Sequence, residues 1–480
     1  MATRSAPRGR ETFSSRAEFE RWHTRRRWAR AGLVYLAMLF FAVVLLGPIL
    51  FAAVSSVKTN PLEYPPTLNI PQLSPANWSA AARLGAVGGG GRWFGGFAPG
   101  ADVPFRITYF VPEGQQAETP EVVVSRRRSG GLQAAQVIEF AADYAEVSPV
   151  EEVSSTPGSY PVRGEETAGR FVTYGFNITY PGQGPEVDTL PVDITAPVNQ
   201  LYTDATLSPS RLERRGRVAS FDTITPGALG YVFRNYVRVF AEVKSVTTGE
   251  SLFWAWTRNS FLIGIVRVLS TLLFASMAGY ALARLRFPGK NIIFFATLFS
   301  MMIPGQVTFI SNYLVLRDGI FGFTQLFGVQ TLLNTIWAVI IGGASGSALV
   351  AAGMVFLMKQ FFESIPNEVE EAAMIDGANH WRRYWNVVLP MARPALGAVA
   401  ILTFQGAWNE FFWPFIVLTT PEDIKTLPIG LLSFRQIYGT TGDWGLILAG
   451  AILSALPIII LFIVFQRYFL EGVSYGGGKE

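Results

Sequence analysis

The chain has no cysteine and only two histidines, His23 and His380, in 480 residues. Disulfides, thiolate metal centres and cysteine nucleophiles are therefore excluded, and imidazole-rich metal clusters with them. Charge is sparse as well: Asp, Glu, Lys and Arg together supply 15% of the residues. No Gly-x-x-x-x-Gly-Lys-[Ser/Thr] phosphate loop occurs; the stretch Gly476-Gly477-Gly478-Lys479-Glu480 lacks both its spacing and its hydroxyl. No serine nucleophile elbow is present either. These absences leave little room for an enzyme, and no cofactor is expected on this chain.

What is abundant is apolar. Half of the residues are hydrophobic and mean hydropathy is +0.30. A membrane-crossing helix needs about 20 largely apolar residues. Six such stretches are expected, at about 31–54, 258–284, 291–315, 335–361, 395–419 and 445–468. The first is too long for a secretory signal and follows a polar tail, so it reads as a retained span. Basic residues mark the cytoplasmic ends of helices. Nine arginines between Arg4 and Arg30 hold the tail inside, and Arg284, Arg286, Lys290, Lys359, Arg382, Arg383 and Arg467 follow the same alternation. Both termini and the 364–390 loop are thus expected in the cytoplasm. Nucleic acid is the other partner a basic tail suggests, but beside a membrane span it is not expected here.

Within the bundle, Ala275-Ser276-Met277-Ala278-Gly279 and Gly342-Gly343-Ala344-Ser345-Gly346-Ser347 offer small residues where helices approach closely. Pro304-Gly305, Pro414 and Pro457 are expected to kink or interrupt their spans. Polar groups at membrane depth must face a cavity or pair with one another. Those groups are Gln306, Asn312, Gln405, Asn409 and Glu410, the candidate translocation pathway. Glu410 sits in Trp408-Asn409-Glu410-Phe411-Phe412-Trp413. Rings beside an amide and a carboxylate suit a sugar, whose C–H faces stack while its hydroxyls bond. The same composition also describes an aromatic belt at the outer interface, with Glu410 reaching water. Both readings stay open.

The most informative segment runs from Pro366 to Pro390. Pro366 suits the start of a helix, where its missing N–H costs nothing. Glu368, Glu370 and Glu371 follow, where the helix dipole favours acids. Val369, Ala372, Ala373 and Asp376 share one narrow face with two very small side chains. Gly377 is placed to end the helix in a left-handed conformation. A second piece, roughly 379–388, then runs into Leu389-Pro390. A bent helix pair with a face open to close approach is expected.

Glu371-Ala372-Ala373, a glycine four residues on, and hydrophobic-x-Leu389-Pro390 after it resemble the "EAA" loop of binding-protein-dependent ABC importers. Ile365-Pro366 and Ile375-Asp376-Gly377-Ala378 are similar to the carbohydrate-uptake, maltose-permease branch. So are Ser56-Val57-Lys58-Thr59, Asn235-Tyr236 and Tyr280-Ala281-Leu282-Ala283-Arg284. The resemblance implies an α-helical polytopic membrane protein of the MetI-like permease type, with six transmembrane helices. It implies a second permease subunit, a homodimeric ATPase carrying ATP and magnesium, an extracytoplasmic solute-binding protein and a sugar substrate. It makes Glu371, Ala372, Ala373, Asp376, Gly377, Leu389 and Pro390 the ATPase-coupling residues, with Asp376 fixing the turn. Glycerol phosphate or another small polar solute is the alternative cargo; a phosphate ester would favour a basic residue in the cavity, and Arg267 is the candidate.

The likeness covers roughly 30–60 and 233–480 and leaves 62–232 without a counterpart. That insertion opens loop-like, with the glycine run 88–91 as a tether. Short apolar runs at 105–111, 121–124, 137–140 and 170–180, separated by Pro and Gly clusters, predict an antiparallel, sandwich-like β domain. Topology places it outside the cytoplasmic membrane. The expected division is a basic tail (1–30), a first span (31–54), the insertion (62–232), a five-helix core (233–470) and a second tail (471–480). A rival reading makes the β domain the working part of a membrane-anchored envelope protein.

Overall fold

The computed structural model describes residues 16–58, 74–87, 91–93, 100–124, 126–127, 138–139, 146–162, 164–179, 190–207, 211–212, 218–224, 227–241, 244–245, 247–343, 346–347, 349–438 and 444–474. Two compact units are distinguished, Met1–Val54 and Ser55–Glu480. The first is a helix that begins at Arg16 and runs on to Val57, apolar enough to cross a membrane from Ala31.

The insertion is built on two main β sheets, with a further short pair, Arg126–Arg127 with Ile138–Glu139. One antiparallel sheet orders Glu146–Val147, Glu165–Thr179, Asp102–Pro112 and Leu201–Ala205, with Glu151–Val162 also paired to Glu165–Thr179. The other orders Arg211–Leu212, Val218–Ile224, Leu190–Thr195 and Glu121–Val124. Strand period explains the core. Val103, Phe105, Ile107, Tyr109 and Val111 point one way, opposite Ile178, Phe176, Tyr174 and Val172. Val124, Val192 and Ile194 of the second sheet complete the same buried cluster.

Two expectations are corrected here. The opening of the insertion, expected to be loop-like, contains the helix Pro75–Val87, whose Ala80, Ala81 and Leu84 enter the β core, while 62–73 lie outside the described residues. Of the glycine run, 88–90 lie outside the described residues. The strand Glu151–Val162 was also not expected, because it contains Pro157, Gly158 and Pro161. It pairs on one side only, so prolines without N–H groups remove no hydrogen bond the sheet needs. Phe171 lies over Gly158, where a Cβ would come within 2.6 Å of the ring.

The insertion leaves and rejoins the helical part at one polar seam. Asn235 Nδ2 donates to the carbonyls of Ser56 (2.8 Å) and Lys58 (3.0 Å). Ser56 Oγ and Tyr236 Oη lie 2.7 Å apart. Gly445 lets this happen, since a Cβ there would stand 2.7 Å from both Asn235 Nδ2 and the Lys58 carbonyl. Asn235→Ala is expected to cost about 1–3 kcal/mol by removing both of these buried hydrogen bonds. Asn235→Asp should be no better, because a carboxylate has no proton to donate. A thermal midpoint for Asn235→Asp equal to that of the parent would contradict this account.

Of the six expected spans, some are continuous helices and others are broken. Among the described residues, three helices are long and apolar enough to cross a membrane: Ala31–Val57, Leu252–Arg284 and Trp444–Gln466. Two more stretches are bent pairs, Lys290–Met302 with Val307–Arg317 at 102° and His380–Met391 with Arg393–Val417 at 77°. The first bend falls at Ile303-Pro304, as its proline requires. In the fifth stretch the helix stops at Trp408 and resumes at Phe412. Pro414 forces this break upstream of itself, because its ring would clash with the Glu410 carbonyl of a continuous helix. Pro457 interrupts nothing: Trp444–Ser474 passes through it, and the Trp408 indole donates to the neighbouring Ser454 carbonyl at 3.0 Å.

The stretch 335–361 is not one helix. A short helix, Ile336–Ile340, is followed by a hairpin pairing Gly342–Gly343 with Gly346–Ser347, then by the helix Ala352–Ser364. Small residues count as compatible with a span, yet three glycines in five positions lose too much backbone entropy to be helical. The Gly342–Ser347 run is therefore not a helix-packing face. The freed carbonyls are held by side chains instead. Arg267 Nη2 donates to Val339 (2.7 Å), Asn312 Nδ2 to Gly343 (3.0 Å) and Ser270 Oγ to Leu349 (2.7 Å). The other small-residue stretch does act as expected: Ala275, Ser276 and Gly279 are buried, and a Cβ on Gly279 would sit 2.8 Å from Met358 Cβ.

Candidate functional site

The Pro366–Pro390 segment folds as its local sequence dictates. Pro366 caps the helix Asn367–Ile375, whose first turn holds Glu368 and Glu370. Gly377 adopts φ +76°, and the N–H groups of Gly377 and Ala378 return to the carbonyls of Met374 (3.0 Å) and Ala373 (2.9 Å). That is a Schellman closure. Nothing lies within 4 Å of a Cβ built on Gly377, so glycine is demanded by the backbone angle alone. Asn379 Oδ1 then accepts from the Arg382 N–H at 2.9 Å and starts the next helix. This helix continues through a π turn, Tyr384–Val388, and past Leu389-Pro390 to Met391. The turn is thus built by Gly377 and Asn379, while Asp376 contributes its backbone N–H to Ala372 at 3.0 Å.

Glu371, Ala372, Asp376 and Gly377 are exposed and Ala373, Leu389 and Pro390 half-buried. Large apolar side chains stand out beside them, with Ile375 87% exposed and Met374, Trp381 and Trp385 about half exposed.

Behind this surface lies a charge cluster that sequence reasoning missed. Glu370 is buried. Its carboxylate lies 3.3 Å from Arg284 Nε, 3.7 Å from Arg383 Nη1 and accepts from Tyr280 Oη at 3.3 Å. The arginine contacts are ion pairs without hydrogen-bond alignment, which leaves Arg284 Nε and Glu370 Oε1 short of a directed partner. Arg284 also donates to the carbonyls of Phe362 and Ile365 and to Asn367 Oδ1. Ser276 Oγ and Tyr384 Oη meet at 2.6 Å. The end of the Leu252–Arg284 helix therefore grips both halves of the bent pair. The available signal was Tyr280 and Arg284 at i and i+4, two polar groups on one face of an apolar helix.

A second site lies where the breaks converge. A half-open cavity of about 770 Å3 is lined by Arg267, Thr271, Ser300, Thr403, Glu410 and backbone at Pro304-Gly305, Gly343 and Val350-Gly353. Arg267 and Glu410 form an ion pair in its wall, their side chains 8% and 23% exposed. Of the expected pathway residues, Glu410 lines this cavity and Asn312 secures the hairpin beside it. Gln405 and Asn409 are exposed and outside it, and the side chain of Gln306 lies outside the described residues. The two tryptophans of the Trp408–Trp413 segment are packed away, while Phe411 and Phe412 are exposed. Trp408 is buried against Phe404 and Phe261, and Trp413 is buried with its indole on the Ala338 carbonyl at 3.0 Å. A separate cleft of about 470 Å3 beside Phe253, Trp408 and Pro457 has Thr257 as its only polar lining.

Residues 272–475 match the family described as the binding-protein-dependent transport system inner membrane component. The arabinooligosaccharides transport system permease protein AraQ of Halalkalibacterium halodurans is 37% identical over 276 residues, 57% of this chain and 88% of that protein. The trehalose/maltose transport system permease protein MalG of Thermococcus litoralis is 30% identical over 245 residues, 51% of this chain and 80% of that protein. Among solved structures, a bacterial ABC transporter involved in import of the acidic polysaccharide alginate aligns over 51% of this chain and 82% of its own, at 27% identity and a TM-score of 0.39. The chain belongs to the binding-protein-dependent family of inner-membrane transport components, in its carbohydrate-uptake branch.

Proposed function

We propose that this chain is a pore-forming subunit of an ATP-driven importer of sugars or oligosaccharides of the maltose type. The carrying observation is the bent pair at 367–391, apolar and exposed on one side and tied to a membrane helix through Glu370 on the other. A surface so built passes motion from a docked partner to the bundle. The partner is a homodimeric ATPase that holds ATP and magnesium. Glu371, Ala372, Ala373 and Gly377 meet it, with Asp376, Leu389 and Pro390 completing the loop. A second permease forms the other half of the pore, and a solute-binding protein delivers cargo from outside. Both termini lie in the cytoplasm. The 62–232 insertion lies outside, between the first span (31–54) and the core (233–470).

The names of the relatives favour sugars, and the cavity does so independently. Arg267, the cation a phosphate ester would need, faces the cavity but is already paired with Glu410. The test is uptake into vesicles holding this chain with its companion permease, ATPase and binding protein. ATP-dependent entry of labelled arabinotriose or maltotriose is expected, and entry of glycerol phosphate in place of both would refute the cargo.

A further inference from the structure

Only part of the polar wall around the 770 Å3 cavity is spent on holding backbone. Arg267 uses one nitrogen on the Val339 carbonyl and one on Glu410, and its Nε has no protein partner. Thr403 Oγ1, in the same wall, has none either. These two atoms lie just behind the cavity surface, whereas the Glu410 side chain, 23% exposed, keeps a carboxylate edge on it. The wall also carries a definite charge: one guanidinium and one carboxylate, in contact, cancel. Among the described residues no other Asp, Glu, Lys, Arg or His lines the cavity.

We propose that this chain itself holds a solute site, and that the Arg267–Glu410 pair sets its preference for neutral polyhydroxylated solutes over anionic ones. The inference rests on the sugar-importer reading and deepens it. A neutral solute presents hydroxyls that both donate and accept, so it bonds to the carboxylate edge and to the guanidinium without disturbing their balance. A carboxylated sugar adds a third charge to a poorly hydrated wall that is already neutral. It must leave that charge unpaired or pull Arg267 from Glu410, and either excludes it. The pair also bridges the Leu252–Arg284 helix and the break after Trp408, so solute binding and the geometry of the break are coupled through the same atoms.

The chain offers an unusual probe of this site. It has no cysteine, and Gly406 lines the cavity with nothing within 4 Å of an added Cβ. Gly406→Cys, in the full complex in vesicles, would be treated with a small methanethiosulfonate reagent in the presence of arabinotriose, maltotriose or digalacturonate. Uptake would be followed in the same vesicles. The neutral sugar that is carried should slow labelling about tenfold, and digalacturonate should have little effect. Adding Glu410→Gln should reverse the order, with digalacturonate now protecting. Adding Arg267→Gln as well removes both charges and should restore the neutral preference, which separates charge from packing. The proposal is overturned if no sugar slows labelling in vesicles that import one, or if Glu410→Gln leaves the order unchanged. In the first case the importer reading survives without it. If neither neutral sugar is imported, both fall.

Discussion

Glu370→Gln is expected to leave the chain in the membrane and to reduce ATP-driven uptake at least about tenfold. The carboxylate lies between two guanidiniums, and all three side chains are 10% exposed or less. Removing one partner of a buried ion pair costs about 3–5 kcal/mol, because the remaining charge has no compensation. Here two charges are stranded, Arg284 and Arg383. Arg284 also holds the carbonyls of Phe362 and Ile365, so the damage reaches the end of the preceding helix. The consequence is a bent pair no longer fixed to the Leu252–Arg284 helix. On the function proposed above, ATP hydrolysis by the ATPase should continue while transport fails. Glu370→Asp, which keeps the charge on a shorter stem, should recover part of the uptake. Parental uptake together with a parental melting profile in Glu370→Gln would remove this cluster from the mechanism.

Gly377→Val is expected to uncouple in a different way. No atom blocks the new side chain, so neither folding of the core nor insertion should suffer. The cost is confined to a β-branched residue at φ +76°, of order 1–3 kcal/mol. The turn relieves this by leaving the left-handed region, and the Schellman bonds to Ala373 and Met374 are lost with it. The angle between the two short helices then changes, and with it the direction in which a push is delivered. Hydrolysis without uptake is the predicted result. Gly377→Asn, which tolerates that conformation, should remain active. Normal uptake by the valine variant would show that the turn angle carries no load.

The contrast between these two positions shows what could be read from the chain. Gly377, Pro366 and Asn379 act on residues within five of themselves, so spacing alone announced the bent pair. Glu370 meets Arg284 across 86 positions, and nothing local distinguishes it from Glu368 or Glu371. Arg267 and Glu410 were both noticed, but their pairing needed three-dimensional placement. The 335–361 stretch misled because hydropathy is blind to propensity: glycines next to apolar residues raise no polarity and still cannot hold a helix. Of the insertion's buried strands, Asp102–Pro112 and Glu165–Thr179 were visible through their period of two, and Leu190–Thr195 was not. The Glu151–Val162 edge was not either, since prolines that rule out an inner strand are harmless at a rim. Trp408 and Trp413 had a composition suited to sugars, but packing claimed both.

The seam at Asn235 has an implication for how such a chain arose. Its hydrogen bonds join Ser56 and Lys58 directly to Asn235, across the whole length of the extra sequence. The two ends of that sequence thus meet at one joint. Anything whose termini come that near could be spliced there, lengthened or exchanged without breaking those bonds.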